Sequence, residues 1–162
     1  MDVGQVHLHW ADAEATTQWG LRFGEYLAQA WSPSAQLRVG LEGGLGAGKS
    51  HLSRAILRGL GVTGAIPSPT YSLLETYPQA AVPAAHMDWY RLHDALELDM
   101  LDWEGLTQQF PLILVEWPSR LPERHSDFEL WVELAASGSG RQATLRPRSP
   151  FTKGLVKQFD AA

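Results

Sequence analysis

From Asp12 onward the apolar residues Trp19, Phe23, Tyr26, Leu27, Ala30 and Trp31 recur at the spacing of a helix with one buried face, and the SPS turn at 32–34 ends the run. This predicts a first helix with Asp12 as its N-cap. LRVGL at 37–41 reads as a strand, and beyond a glycine-rich loop Leu52, Ala55, Ile56 and Leu60 form one stripe that Gly61 stops. Strand, loop and helix therefore follow in order. PSPT at 67–70 is a stiff loop, because each proline fixes its own φ and restricts the residue before it. YSLLETY then predicts a strand, His86 to Trp89 a further one, and residues 94–106 an acidic helical stretch with Leu98 and Leu101 in the core. PLILVEW at 111–117 is the continuous apolar run of a strand buried on both faces, and it runs into an acid. DFELWVEL at 127–134 alternates, setting Phe128, Leu130, Val132 and Leu134 on one face, and GSGRQATLRP supplies the turn and return strand of a hairpin. Ser149 and Pro150 suit the N-cap and first position of a last helix that buries Phe151, Leu155, Val156 and Phe159.

This alternation, with the glycine loop GGLGAGKS at 43–50 fitting G-x-x-x-x-G-K-[ST] between a strand and a helix, predicts an α/β protein: a three-layer P-loop NTPase fold with a central, mostly parallel sheet and an antiparallel edge hairpin. A chain of 162 residues with no repeat, linker or low-complexity tract predicts one domain over 1–162. With 44% hydrophobic and 19% charged residues, disordered and collagen-like classes are excluded. The absence of cysteine removes disulfides, thiolate catalysis and zinc-thiolate sites. Thirteen basic against 18 acidic residues, with no basic run, argue against a protein that grips nucleic acid by neutralising phosphates. A role in RNA metabolism would run through a partner. No apolar segment approaches the ~18 residues of a membrane span, and MDVGQVHLHW lacks a signal-peptide pattern, so a cytoplasmic location without membrane contact is expected.

GGLGAGKS at 43–50 changes the picture most, because it fits G-x-x-x-x-G-K-[ST] between a strand and a helix. Gly43, Gly44, Leu45, Gly46, Ala47, Gly48 and the start of the helix at Ser50 and His51 would wrap main-chain N–H groups around an anion. Lys49 is the only lysine before residue 153 in a chain with ten arginines. Reaching β- and γ-phosphates needs its compact ammonium, which a planar guanidinium does not copy. Mg²⁺ bridging those phosphates takes the Ser50 hydroxyl and an acid at the end of a buried strand, and LILVE supplies Glu116. Asp88 in HMDWYR is compatible with a solvated residue, a salt bridge to Arg91 or a site residue. Thr70 could sense a γ-phosphate or simply shape a turn. His7 and His9 alternate on a possible strand without a third ligand and read as surface histidines. Trp89 and Trp117, each directly after an acid, are expected beside the nucleotide, where an exposed indole suits a partner interface.

The chain contains no asparagine, so it cannot build the N-K-x-D guanine motif of Ras-type GTPases, and ATP or ADP is the expected nucleotide. A small-molecule kinase of the shikimate-kinase-like type shares GAGKS, but no lid-like arginine cluster is present. LEGGLGAGKSHLSRAILRGLG, IPSPTYSLLETY, HMDWYRL and LVEWP, in this order, closely resemble the TsaE family (formerly YjeE) over roughly residues 12 to 145. The combination of SPTY, H-x-D-x-YR and EWP is far more specific than the P-loop alone. The resemblance implies an ATPase of bacterial tRNA threonylcarbamoyladenosine synthesis, weak alone and activated by TsaB and TsaD, with tRNA met only through the complex. It implies that Ser50 and Glu116 hold Mg²⁺, that Asp88 and Thr70 lie by the γ-phosphate with Lys49, and that Trp117 supports activity or docking. Thr16, in DAEAT, and Arg141, after Gly140, match the flanking segments on the adenine side. Gly44 stands where the family usually has aspartate, and His51 where it has a second threonine. His51, near the nucleotide, could make affinity pH-sensitive or be a solvated helix residue.

Overall fold

The structure, a computed structural model, describes residues 4–161. In chain order it comprises β1 (Val6–Trp10), α1 (Ala13–Ala30), β2 (Leu37–Glu42), α2 (Lys49–Gly59), β3 (Leu74–Tyr77), β4 (Ala84–Asp88), α3 (Ala95–Met100), α4 (Trp103–Gln109), β5 (Leu112–Glu116), two 3-10 turns (Pro118–Arg120 and Pro122–Asp127), β6 (Leu130–Ser137), β7 (Gly140–Pro147) and α5 (Pro150–Ala161). The strands form one sheet in the order β1-β7-β6-β2-β5-β4-β3. The central strands β6, β2, β5 and β4 are parallel, as buried apolar runs such as LILV favour. β7 runs antiparallel to β6, β1 to β7, and β3 to β4. Antiparallel strands thus close both edges, where the sequence predicted only the β6–β7 hairpin.

Helices cover both faces, giving the three layers. One core joins α1, α2 and α5 to the sheet through Phe23, Leu27, Leu52, Ile56, Leu155 and Phe159. The other lies under α3, α4 and the 3-10 turns, through Trp89, Leu98, Trp103, Leu106 and Phe128. Asp12 caps α1, its carboxylate accepting the Ala15 N–H at 2.8 Å. α1 packs against α2 without side chains between them at Gly24 and Gly59: a Cβ on Gly24 would collide with the Ile56 carbonyl, and one on Gly59 with the Leu21 carbonyl.

Four details depart from the pattern. The acidic stretch is two helices, because Asp102 turns to φ 58° and its carboxylate caps α4 at the Gly105 N–H; Leu98 is buried, but Leu101 only in part. Phe128 precedes β6 and packs with Trp89 and Trp131 in the second core, away from Leu130, Val132 and Leu134. The strand expected from Tyr71 begins at Leu74, after a turn in which Leu73 has φ 68°. In α5, Phe151 stays on the rim against Trp31, while Thr152 is fully buried and donates to the Glu129 carbonyl. Among the described residues no helix is long and apolar enough to cross a membrane.

Candidate functional site

The chemistry gathers at the carboxyl ends of β2, β4 and β5, where a parallel sheet opens toward its covering helices. Period-2 alternation decides which side chains arrive there. On β4, Ala84, His86 and Asp88 face the α1–α2 side, while Ala85 and Met87 face the other core; on β5, Leu112, Leu114 and Glu116 share the first side. The parallel register sets Asp88 directly opposite Glu116. Two carboxylates from neighbouring strands, both buried, therefore meet at one end of the sheet.

The glycine loop ends on Gly48, which caps α2 at φ 104°, and Gly46 also adopts a left-handed conformation, at φ 74°. Lys49, 5% exposed, turns back so that its ammonium donates to the carbonyls of Gly43 at 2.6 Å and Gly44 at 2.9 Å. The same ammonium lies 3.9 Å from the centre of the Trp117 ring. Burial pulls the Lys49 pKa below its ordinary value, and the carboxylates of Glu116, Glu42 and Asp88 oppose that shift. Burial pushes the Asp88 carboxyl up; the Tyr90 N–H that it accepts at 2.9 Å works against this, Glu116 adds to it, and His86 and the Thr70 hydroxyl reduce it.

Ser50 donates to both Glu116 oxygens, at 2.8 and 3.0 Å, and His86 Nε2 stands 2.6 Å from one of them. Oxygen ligands on adjacent corners of an octahedral Mg²⁺ site lie about 2.9 Å apart, given bonds of ~2.0–2.1 Å. The Ser50–Glu116 pair thus has the ligand type and spacing that a small hard cation takes. Among the described residues no group of three His, Asp or Glu side chains could hold a metal. A cation here would complete its shell from phosphate and water, as Mg²⁺ commonly does.

A cavity of about 400 Å³ joins these groups, lined by Leu45, Gly46, Gly48, Lys49, Ser50 and His51 from the loop and helix, and by Thr70, Asp88, Tyr90, Arg91, Glu116 and Trp117. Of the residues singled out from sequence, Thr70 lines it with its hydroxyl 2.8 Å from that of Ser68. Arg141 reaches the loop from β7 and donates to the Gly46 carbonyl at 3.2 Å. Thr16 is buried in α1 and does not line the cavity. Its neighbour Thr17 is the residue that meets the loop helix, 2.7 Å from His51 Nε2. His51 is therefore bound to the start of α1 rather than freely solvated.

Trp89, expected beside the nucleotide, is fully buried between Trp103 and Phe128, because odd positions of β4 continue into the second core. Arg91 does not pair with Asp88 but lies over the exposed Tyr71 ring. His7 and His9 sit exposed on the edge strand β1. Sequence reasoning missed His86, Tyr90 and Glu42; the strand alternation of HMD with LVE was the available signal for His86.

The family model described as "Threonylcarbamoyl adenosine biosynthesis protein TsaE" matches residues 10–143. Proteins named tRNA threonylcarbamoyladenosine biosynthesis protein TsaE are similar to this chain in Synechocystis (40% identity over 76% of each chain) and in Nostoc (34%, over 90% of this chain and 88% of the relative). The Haemophilus influenzae protein of that name is 30% identical over 91% of this chain and 93% of its own. The crystal structure of Bacillus subtilis YdiB superposes with a TM-score of 0.78 over 97% of this chain and 95% of that one, at 21% identity, which establishes a shared fold.

Proposed function

Since the chain belongs to the TsaE family of tRNA threonylcarbamoyladenosine biosynthesis, we propose that it is the ATPase of that system, binding ATP with Mg²⁺ in the cavity above β2, β4 and β5. The observation that carries this reading is the contact of Ser50 with Glu116 directly beside the buried ammonium of Lys49. In the proposed reaction Lys49 leaves the Gly43 and Gly44 carbonyls for the β- and γ-phosphates, and the loop N–H groups with the α2 N-terminus surround them. Ser50 and Glu116 would hold Mg²⁺, which would supply neutralisation of the phosphate charge. Asp88, beside Glu116, and Thr70 line the same cavity, where they would orient the attacking water, and Trp117 covers the ammonium. Catalysis rests on positioning and charge, with no covalent intermediate on the protein. Arg141, which reaches the loop at Gly46, would meet the adenine side, and His51 lines the cavity at the start of α2.

Turnover by the isolated chain is expected to be slow and to rise with TsaB and TsaD, whose modification of tRNA it would support. The test is to follow ATP consumption and threonylcarbamoyladenosine formation with and without that partner pair and tRNA. Both should depend on this chain. Phosphate transfer to a small acceptor without partners would instead favour a kinase, and an inert response to MgATP under all conditions would refute the ATPase reading.

A further inference from the structure

His86 is fully buried next to the cavity and does not line it. Its position follows from the alternation of β4, which aims it with Ala84 and Asp88 toward the α2 side, two register positions before the Asp88–Glu116 pair. A buried imidazole costs free energy unless its nitrogens are bonded. Among the described residues only one is: Nε2 lies 2.6 Å from Glu116 Oε2, and Nδ1 has no partner. An ionised carboxylate only accepts, so Nε2 must carry the proton. An apolar side chain would suit the surrounding Ala84, Leu112 and Leu114 better, so the imidazole has to be explained by its single bond.

That bond acts on a group with a specific geometric task. Glu116 stands at the last position of β5, and Ser50 alone would anchor it from the cavity side, donating to both oxygens from one hydroxyl. A hydroxyl drawn away toward a cation no longer donates to the carboxylate. The donor behind it, fixed by the strand, does not move.

We propose that His86 is a positioning residue: it donates from Nε2 to the Glu116 carboxylate and holds that carboxylate in place for a divalent cation bound with the nucleotide. This rests on the ATPase reading above and assigns the imidazole a role in cation affinity rather than in contact with substrate. Outer-shell partners of metal-ligating groups typically change metal affinity by about 10–100-fold when removed.

The test compares His86→Gln, whose amide nitrogen can stand where Nε2 stands, with His86→Asn and His86→Leu, which cannot place a donor there. Binding of a fluorescent ADP analogue is titrated with Mg²⁺ and, separately, measured without Mg²⁺. The expected result is a half-saturating Mg²⁺ concentration raised about tenfold or more in the Asn and Leu variants, with Mg²⁺-free nucleotide affinity within about twofold of wild type. The Gln variant should stay within about threefold of wild type in both. Unchanged Mg²⁺ dependence in Asn or Leu, or a loss in Gln as large as in Asn, overturns the proposal, and the Gln arm decides it even if Leu does not fold. A wild-type protein that binds the analogue with no Mg²⁺ dependence would instead refute the underlying ATPase reading.

Discussion

At the scale of single residues, the site is a problem of buried charge. Lys49, Asp88 and Glu116 are each 5% exposed or less. Burial disfavours the charged forms of Lys49 and Asp88; the carboxylates around Lys49 and the Tyr90 N–H at Asp88 oppose it, while Glu116 adds to the shift of Asp88. On the proposed ATPase reading, Lys49→Ala removes the ammonium that would reach the phosphates, and ATP turnover measured with the partner proteins should fall about 10²–10³-fold, the scale for one lost transition-state donor. Glu116→Gln keeps one acceptor oxygen, replaces the other with an NH2 donor and removes the charge, so hydrolysis should drop far more than nucleotide binding, measured side by side. Asp88 carries a cost in the apo fold: burial raises its folded pKa above the ordinary value of 3.8, so the penalty is present where the carboxyl is ionised and fades as pH falls toward 3.8. Asp88→Asn, which can still accept the Tyr90 N–H, should therefore unfold at higher denaturant than wild type at pH 8 in Mg²⁺-free buffer, by a margin that shrinks as pH falls. The same variant should lose ATP turnover. A margin independent of pH would contradict the burial account.

At the scale of elements, the P-loop depends on how closely α1 and α2 approach. Gly24 and Gly59 let the helices meet backbone to backbone, and Gly24→Ala would press a methyl against the Ile56 carbonyl, which cannot swing aside. Denaturation should show a loss of about 1–3 kcal/mol, the usual cost of overpacking. Because Thr17 and His51 join the same two helices beside the cavity, nucleotide affinity should weaken along with stability. Elements with strong periodicity were legible in advance: α1, β2, α2, β5 and the β6–β7 hairpin lie where the pattern puts them. The misreadings share a cause. Asp102 used its side chain to start a new helix, and Phe128 lay just outside the strand whose alternation seemed to include it. Local capping and strand limits are set by a few hydrogen bonds that composition and spacing do not distinguish.

At the scale of the whole molecule, the cavity sits on the open end of the sheet and joins residues from Leu45 to Trp117, so ligand binding should be felt by the entire fold. A ligand that binds only the native state, present at about a hundredfold its Kd, stabilises by about 2.7 kcal/mol. For a chain of this size that corresponds to a rise in Tm of roughly 5–10 °C. Differential scanning fluorimetry with MgADP should show such a shift for wild type and none for Lys49→Ala. The P-loop, Ser50, Glu116 and Trp117 could be picked out from the chain because each lies in a short motif. Trp89 could not be separated from Trp117, since both directly follow an acid; only the path of β4 into the second core sends one inward and leaves the other over Lys49.

The sequence by itself determined the strand–glycine loop–helix unit, the buried parallel strands and the family motifs, because these are written in contiguous residues whose spacing matches one backbone geometry. Only the tertiary structure decided that Asp88 faces Glu116, that His86 stands behind that carboxylate, and that Thr17 rather than Thr16 reaches His51. Those are relations between strands and helices far apart in the chain, fixed by register and by the face each side chain takes, and no local pattern encodes which of two neighbouring strands will align at a given residue.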